Sequence, residues 1–152
     1  MADSRPSDSR ENLVNLKVEQ QKAVENLMDG NDVLAVLPTG YGKSRIYQAF
    51  SQITDTSTGG NSLVLVVAPL MSIIQDQLST LERLNYPGAD LKNVDEKALN
   101  DCKFKILFGS AEEVLSKSFQ NLLGNKDSTL HQTLSLIVVD ESHTVETWSG
   151  KR

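Results

Sequence analysis

The break inside VLAVLPTGYGKSRIYQAF, residues Val33 to Phe50, constrains the fold of this chain more than any other stretch. Before it, Asp32 to Leu37 (DVLAVL) is a short continuous apolar run, the pattern of a buried strand. After it, Ile46, Ala49, Phe50 and Ile53 recur at the i, i+3, i+4, i+7 spacing of one helix face. The predicted order is strand, glycine loop, helix. A change of period across so few residues calls for a tight turn, and Gly40 and Gly42 supply it.

The turn brings backbone N–H groups inward, and a helix starting near Lys43 adds the positive end of its dipole, about half an elementary charge. Such a loop cradles an anion. Lys43 places a mobile ammonium where β- and γ-phosphates would lie, and the Ser44 hydroxyl is placed to ligate Mg2+. The bland alternative is a glycine-rich connection with a solvent-facing lysine. Leu37 stands where the strict G-x-x-x-x-G-K-[ST] pattern has its first glycine.

The rest of the chain repeats the alternation. Lys17 to Met28 carries Val18, Val24, Leu27 and Met28 near helical spacing, closed by DGND. A polar hinge, TDTSTGGN, precedes SLVLVVAP (Ser62 to Pro69), whose branched residues suit a strand covered on both faces. MSIIQDQLSTLERL follows with Ile74, Leu78 and Leu81 on one face and ends at the turn NYPG. FKILFG (Phe104 to Gly109) leads into SAEEVLSKSFQNLL, with Ser110 as N-cap and Glu112 and Glu113 in the first turn. LSLIVVDE (Leu134 to Glu141) is the last apolar strand. Four strands alternating with helices predict an α/β fold: three layers, a parallel sheet with helices on both faces and right-handed crossovers. In such sheets ligands bind at the carboxyl ends of the strands.

Bulk properties narrow the functions. At 152 residues the chain has the length of one domain, able to bury roughly 68–70% of its unfolded surface. Residues 1–12 have almost nothing to bury and are expected to form a disordered arm, leaving 13–152 as the domain. A net charge of −5 argues against coating nucleic acid by bulk electrostatics, so any such contact is expected to be local. The single cysteine, Cys102, allows no intramolecular disulfide and no multi-cysteine metal site, in keeping with a reducing intracellular compartment. No apolar run approaches the ~20 residues of a membrane span, and the N-terminus lacks a secretory pattern, so a soluble, non-exported protein is expected.

At the far end, four apolar residues run straight into DESH, so Asp140 emerges as a charge in need of a partner. Asp140 suits Mg2+ held through its water shell, and Glu141 suits orienting or deprotonating the water that attacks a γ-phosphate. His143 reads either as a surface hydrogen bonder or as part of the same catalytic set. A solvated strand end is the plainer reading of Asp140 and Glu141 taken alone.

Together these residues resemble a superfamily 2 helicase, and more narrowly the RecQ-like DNA helicases, over about residues 16–148. LPTGYGKS resembles the first motif, APLMSIIQDQL the second segment, and VVDESHTVETW the Asp-Glu-x-His box with its following tryptophan. LKVEQQKAV is similar to the adenine-recognition segment, with Gln20 at the glutamine position and Lys17 where arginine is common. The resemblance implies a P-loop NTPase (RecA-like) lobe that binds ATP and Mg2+ through Lys17, Gln20, Thr39, Gly40, Tyr41, Gly42, Lys43, Ser44 and Asp140, with Lys43, Glu141 and His143 catalytic. An amide such as Gln20 can both donate to and accept from an adenine edge; without the resemblance it reads as an exposed helical residue.

The resemblance also implies single-stranded or forked DNA as partner, met by Pro69, Leu70, Ser72 and Gln77 through helix-end N–H groups rather than a basic patch, and a nuclear location. Trp148 would stack on DNA or pack on the domain surface. FGSAEEV stands where the family commonly has Thr-Pro-Glu, and nothing here resembles the second RecA-like lobe. The expectation is therefore the N-terminal ATP-binding half of a 3′–5′ DNA helicase that couples Mg·ATP hydrolysis to unwinding when joined to a second lobe. A DExH-type RNA helicase half and an ATP-binding module without turnover are the alternatives.

Overall fold

In the computed structural model, residues 16–35, 42–68, 71–101 and 103–140 are described. They fall into two compact units, one ending at Asn61 and one beginning at Ser62, and each is treated by itself.

The first unit is a helix pair. Helix α1 spans Val18–Met28 and α2 spans Lys43–Ser57. Leu16, Ala23 and Val24 pack on Ile46 and Ala49, with Leu27 and Ile53 at the margin; of the α1 residues read from spacing Val24 and Leu27 belong to this seam, whereas Val18 and Met28 are exposed, because the buried stripe runs through Ala23 instead. Helix α1 ends where Gly30 takes φ 87°. There the Gly30 N–H donates to the Leu27 carbonyl and the Asn31 N–H to that of Asn26, a Schellman pattern that satisfies two terminal carbonyls. Helix α2 runs further than the sequence suggests, through Thr54 to Ser57, which read as the start of a hinge. The Thr54 hydroxyl donates to the Phe50 carbonyl at 2.8 Å, so the threonine is accommodated by bonding back to the preceding turn.

The strand expected over Asp32 to Leu37 is not formed in its described part. Residues 31–35 belong to no strand among the described residues, and Leu34 is 77% exposed. An apolar run becomes a strand only when another strand takes its N–H and C=O groups, which composition alone does not provide. Val36 and Leu37 lie outside the described residues.

The second unit is built on four parallel strands in the order β2-β3-β1-β4. Their ranges are β1 Leu63–Val67, β2 Gly88–Asp90, β3 Ile106–Gly109 and β4 Leu134–Val139. The connecting helices are α3 (Met71–Arg83), α4 (Glu96–Asp101), α5 (Ala111–Val114), α6 (Lys117–Gly124) and α7 (Thr129–Thr133). One face of the sheet, with Leu63, Leu65 and Leu107, packs on Leu99 of α4, Val114 of α5, Phe119 of α6 and Leu130 of α7. On the other face α3 closes on β2: a Cβ added at Gly88 would lie 2.6 Å from Leu81 Cδ1 and 3.5 Å from Leu78 Cδ2. Helices thus cover both faces, as the alternation predicts.

Strand β2 was not foreseen, because its three residues carry no apolar alternation and follow directly on a turn. The turn itself is where NYPG places it. Asn85 adopts φ 55° and the Tyr86 N–H donates to the Leu81 carbonyl, ending α3. Ser110 caps α5 as expected: its hydroxyl accepts from the Glu113 N–H at 3.2 Å, and the Glu113 carboxylate accepts from the Ser110 N–H at 3.0 Å. The stretch SAEEVLSKSFQNLL is two helices, since Ser116 caps again and its hydroxyl accepts from the Phe119 N–H.

Candidate functional site

In the first unit the site is the start of α2. Gly42 is its N-cap, at φ 92° and ψ 46°, a left-handed conformation open to glycine at little strain. The Gly42 carbonyl accepts two hydrogen bonds, from the Arg45 N–H at 3.1 Å and from Gln20 Nε2 at 2.8 Å. Lys43 and Ser44, the first two residues of α2, are half-buried.

Gln20 is 4% exposed, not the surface residue its helical position alone suggests. It is the third residue of α1, and its Oε1 accepts from the Lys17 N–H at 2.9 Å, the return half of a capping box. The structure therefore ties together Lys17, Gln20 and Gly42, and Lys43 and Ser44 follow Gly42 in the chain. Both ends of the Gln20 amide are engaged within the chain, and the Gly42 carbonyl is a partner that sequence reasoning missed. The available signal was the offset of three between Lys17 and Gln20, which places the glutamine at a capping position. Thr39, Gly40 and Tyr41 lie outside the described residues.

In the second unit Asp140 lies at the carboxyl edge of the sheet. Val67 pairs with Gly109 on one side and Val139 on the other, so β1, β3 and β4 end level. The Ala68 N–H donates to the Gly109 carbonyl at 3.0 Å and the Asp140 N–H to the Val67 carbonyl at 2.9 Å, extending the ladder past the last strand residues. Asp140 is half-buried there. Ser72 is exposed in the first turn of α3 and Gln77 half-buried further along it. Pro69, Leu70, Glu141, His143 and Trp148 lie outside the described residues.

The parallel sheet of the second unit, with helices on both faces, is an α/β architecture consistent with a RecA-like helicase domain. The chain belongs to the DEAD/DEAH box helicase family, whose profile matches residues 17–152. It is 33% identical over 147 residues to the ATP-dependent DNA helicase hus2/rqh1 of Schizosaccharomyces pombe, covering 90% of this chain and 11% of that protein. It is 33% identical over 137 residues to the ATP-dependent DNA helicase RecQ of a Synechocystis strain, covering 85% of this chain and 27% of that one. Similarity of 32% over 137 residues extends to the ATP-dependent DNA helicase Q-like 5 of Arabidopsis thaliana, covering 86% of this chain and 14% of the relative. The RecQ-like resemblance is borne out, and the chain spans about a quarter or less of these relatives' lengths. No helix among the described residues is long and apolar enough to cross a membrane.

Proposed function

We propose that this chain is the ATP-binding lobe of an ATP-dependent DNA helicase of RecQ type, which unwinds DNA in the 3′–5′ sense when joined to a second RecA-like lobe. The observation that carries the reading is the start of α2: a left-handed glycine with its carbonyl turned back into the unit, followed by Lys43 and Ser44. A helix start of this form presents free N–H groups and positive potential to phosphate oxygens. Lys43 neutralises the β- and γ-phosphates, with Thr39, Gly40, Tyr41 and Gly42 forming the rest of the cradle. Ser44 serves as a direct ligand of Mg2+ and Asp140 as an outer one, and the ion when bound screens the phosphate charge. Glu141 orients the attacking water, with His143 beside it in sequence. Lys17 and Gln20 serve the adenine end.

DNA is proposed to meet the start of α3 through Pro69, Leu70, Ser72 and Gln77, with Trp148 stacking on it. An exposed Ser72 in the first turn of a helix fits this role, because first-turn N–H groups and hydroxyls bind backbone phosphates without a basic surface. The names of the relatives support DNA over RNA. The same reading places the protein in the nucleus.

Binding of a fluorescent ATP analogue with Mg2+ to the parent chain and to Lys43→Ala tests the nucleotide site. The expected result is at least a tenfold loss, and equal affinity removes the assignment. A DNA-stimulated ATPase assay on this chain beside a two-lobe protein tests the helicase reading. Hydrolysis and unwinding should be strong only with both lobes, because a closing lobe of this kind supplies an arginine worth about 10³–10⁵ in rate.

A further inference from the structure

Strand β2 is an outer strand of the sheet, paired with β3 on one side, and its other edge carries no strand among the described residues. The register fixes where its backbone groups point. The Pro87 carbonyl accepts from the Lys105 N–H at 2.9 Å and so faces β3. Successive residues of a strand turn their N–H and C=O to opposite sides, so Ala89 faces β3 as well, whereas Gly88 and Asp90 face outward. The Asp90 carbonyl opens the 3-10 turn Leu91–Asn93, which leaves the Gly88 N–H, the Gly88 C=O and the Asp90 N–H available to a further strand.

These groups stand on the wall of a groove of about 620 Å³ between β2 and the end of α3. Leu78, Leu81, Ala89 and Val94 form its apolar part; Glu82 and Asp90 are the charged residues on its lining, and no lysine or arginine lines it among the described residues. We infer that this edge is a docking site for an extended segment of a partner protein, which adds to β2 as a further strand and carries lysine or arginine on the side facing α3.

The choice of side chains follows from the pleat. Residues 88 and 90 share a face, and a Cβ at Gly88 would lie 2.6 Å from Leu81 Cδ1, so Asp90 is on the α3 side of the sheet. Asp90 is only 3% exposed, and the hydrogen bond it accepts at Oδ1 comes from the Lys92 N–H at 3.1 Å, a neutral donor. A carboxylate so enclosed gains strongly from an opposite charge, and Glu82 on the same groove adds to the attraction. On the other face Ala89 packs with the apolar cluster around Leu65 and Leu107, so an added strand is expected to be apolar there. Basic and apolar residues in alternation fit both faces. The same charges disfavour the other occupants. Two copies joined edge to edge through β2 would set Glu82 and Asp90 of each against those of the other, in chains that each carry a net charge of −5. A nucleic-acid strand would meet two carboxylates and no cation.

The probe is the end-capped peptide Thr-Lys-Val-Lys-Val-Lys-Thr, titrated into the isotope-labelled 152-residue chain and read by amide shifts and hydrogen exchange. The expected result is saturable binding with slowed exchange at the Gly88 and Asp90 amides and little change at Ala89, whose amide already faces β3. Methylating every backbone nitrogen of the peptide, or replacing its lysines by glutamate, should weaken binding at least about tenfold. Asp90→Asn keeps an acceptor for the Lys92 N–H and should weaken it about 3- to 10-fold. Glu82→Gln, on the exposed side of α3, gives a second test should Asp90→Asn melt early, with a loss of about twofold. No binding at about 1 mM peptide overturns the docking site. Equal binding of the methylated peptide overturns strand addition, and equal binding of the glutamate peptide overturns the basic partner. Protection of Gly88 and Asp90 that grows with the chain's own concentration overturns it in favour of self-pairing, and protection by a single-stranded oligonucleotide in favour of nucleic acid.

Discussion

Strands β1 and β4 are nearly interchangeable as sequences, LVLVV against LSLIVV, yet they live in different surroundings. Strand β1 lies between β3 and β4, and its residues 63–66 are buried to 1% exposure or less. Strand β4 lies at the sheet edge among the described residues, and its side chains alternate between half-buried and exposed, with Ile137 at 53% and Val139 at 43%. An unbroken apolar run therefore says that a segment is suited to a sheet, and not which place it takes there. The place is set by which neighbours pair with it, a long-range property that local pattern does not contain.

The comparison breaks or sharpens under substitution. The largest effect is expected at the centre: Leu65→Ala, in the core cluster with Leu107 and Phe119, should destabilise the second unit by about 2–5 kcal/mol in urea unfolding followed by circular dichroism. A loss no greater than that of an edge substitution would break the contrast between the two strands. Gly88→Ala comes next. The new Cβ would meet Leu81 Cδ1 at 2.6 Å, and Leu81 is only 1% exposed, so overpacking should cost about 1–3 kcal/mol. A neutral result would show that α3 gives way above β2. The smallest effect is expected at the edge, where Ile137→Thr keeps the β-branch on an exposed position and should change stability by no more than about 0.5 kcal/mol. Hydrogen exchange sharpens the same point, with amides of residues 63–67 slower than those of 134–139.

Local signals were legible wherever the physics is local. The α2 side of the seam with Ile46 and Ala49, the face of α3 with Ile74 and Leu81, the glycine stop at Gly30 and the Ser110 cap all follow from spacing within a turn or two. What was not legible depended on contacts far apart in the chain. Strand β2 exists because Gly88 can lie against Leu81 and pair with Ile106, neither of which shows in the letters GAD. Asp32 to Ala35 has strand letters but belongs to no strand among the described residues. Lys43 and Ser44 in the first unit and Asp140 in the second could be singled out because their motifs are contiguous in sequence. The Gly42 carbonyl could not, because a backbone acceptor 22 positions from Gln20 leaves no mark in residue type.

The close approach of Gln20 to Gly42 has a meaning in the history of the chain as well as in its chemistry. With 2.8 Å between Gln20 Nε2 and the place a Cβ would occupy, the two positions are not free to drift separately. A side chain at 42 must both accept a left-handed backbone, strained whatever the space around it, and displace the end of the Gln20 side chain. A shortened residue at 20 leaves the Gly42 carbonyl short of a donor. A change at either position therefore bears on the other, and glycine at 42 is kept by its left-handed backbone even where position 20 gives way.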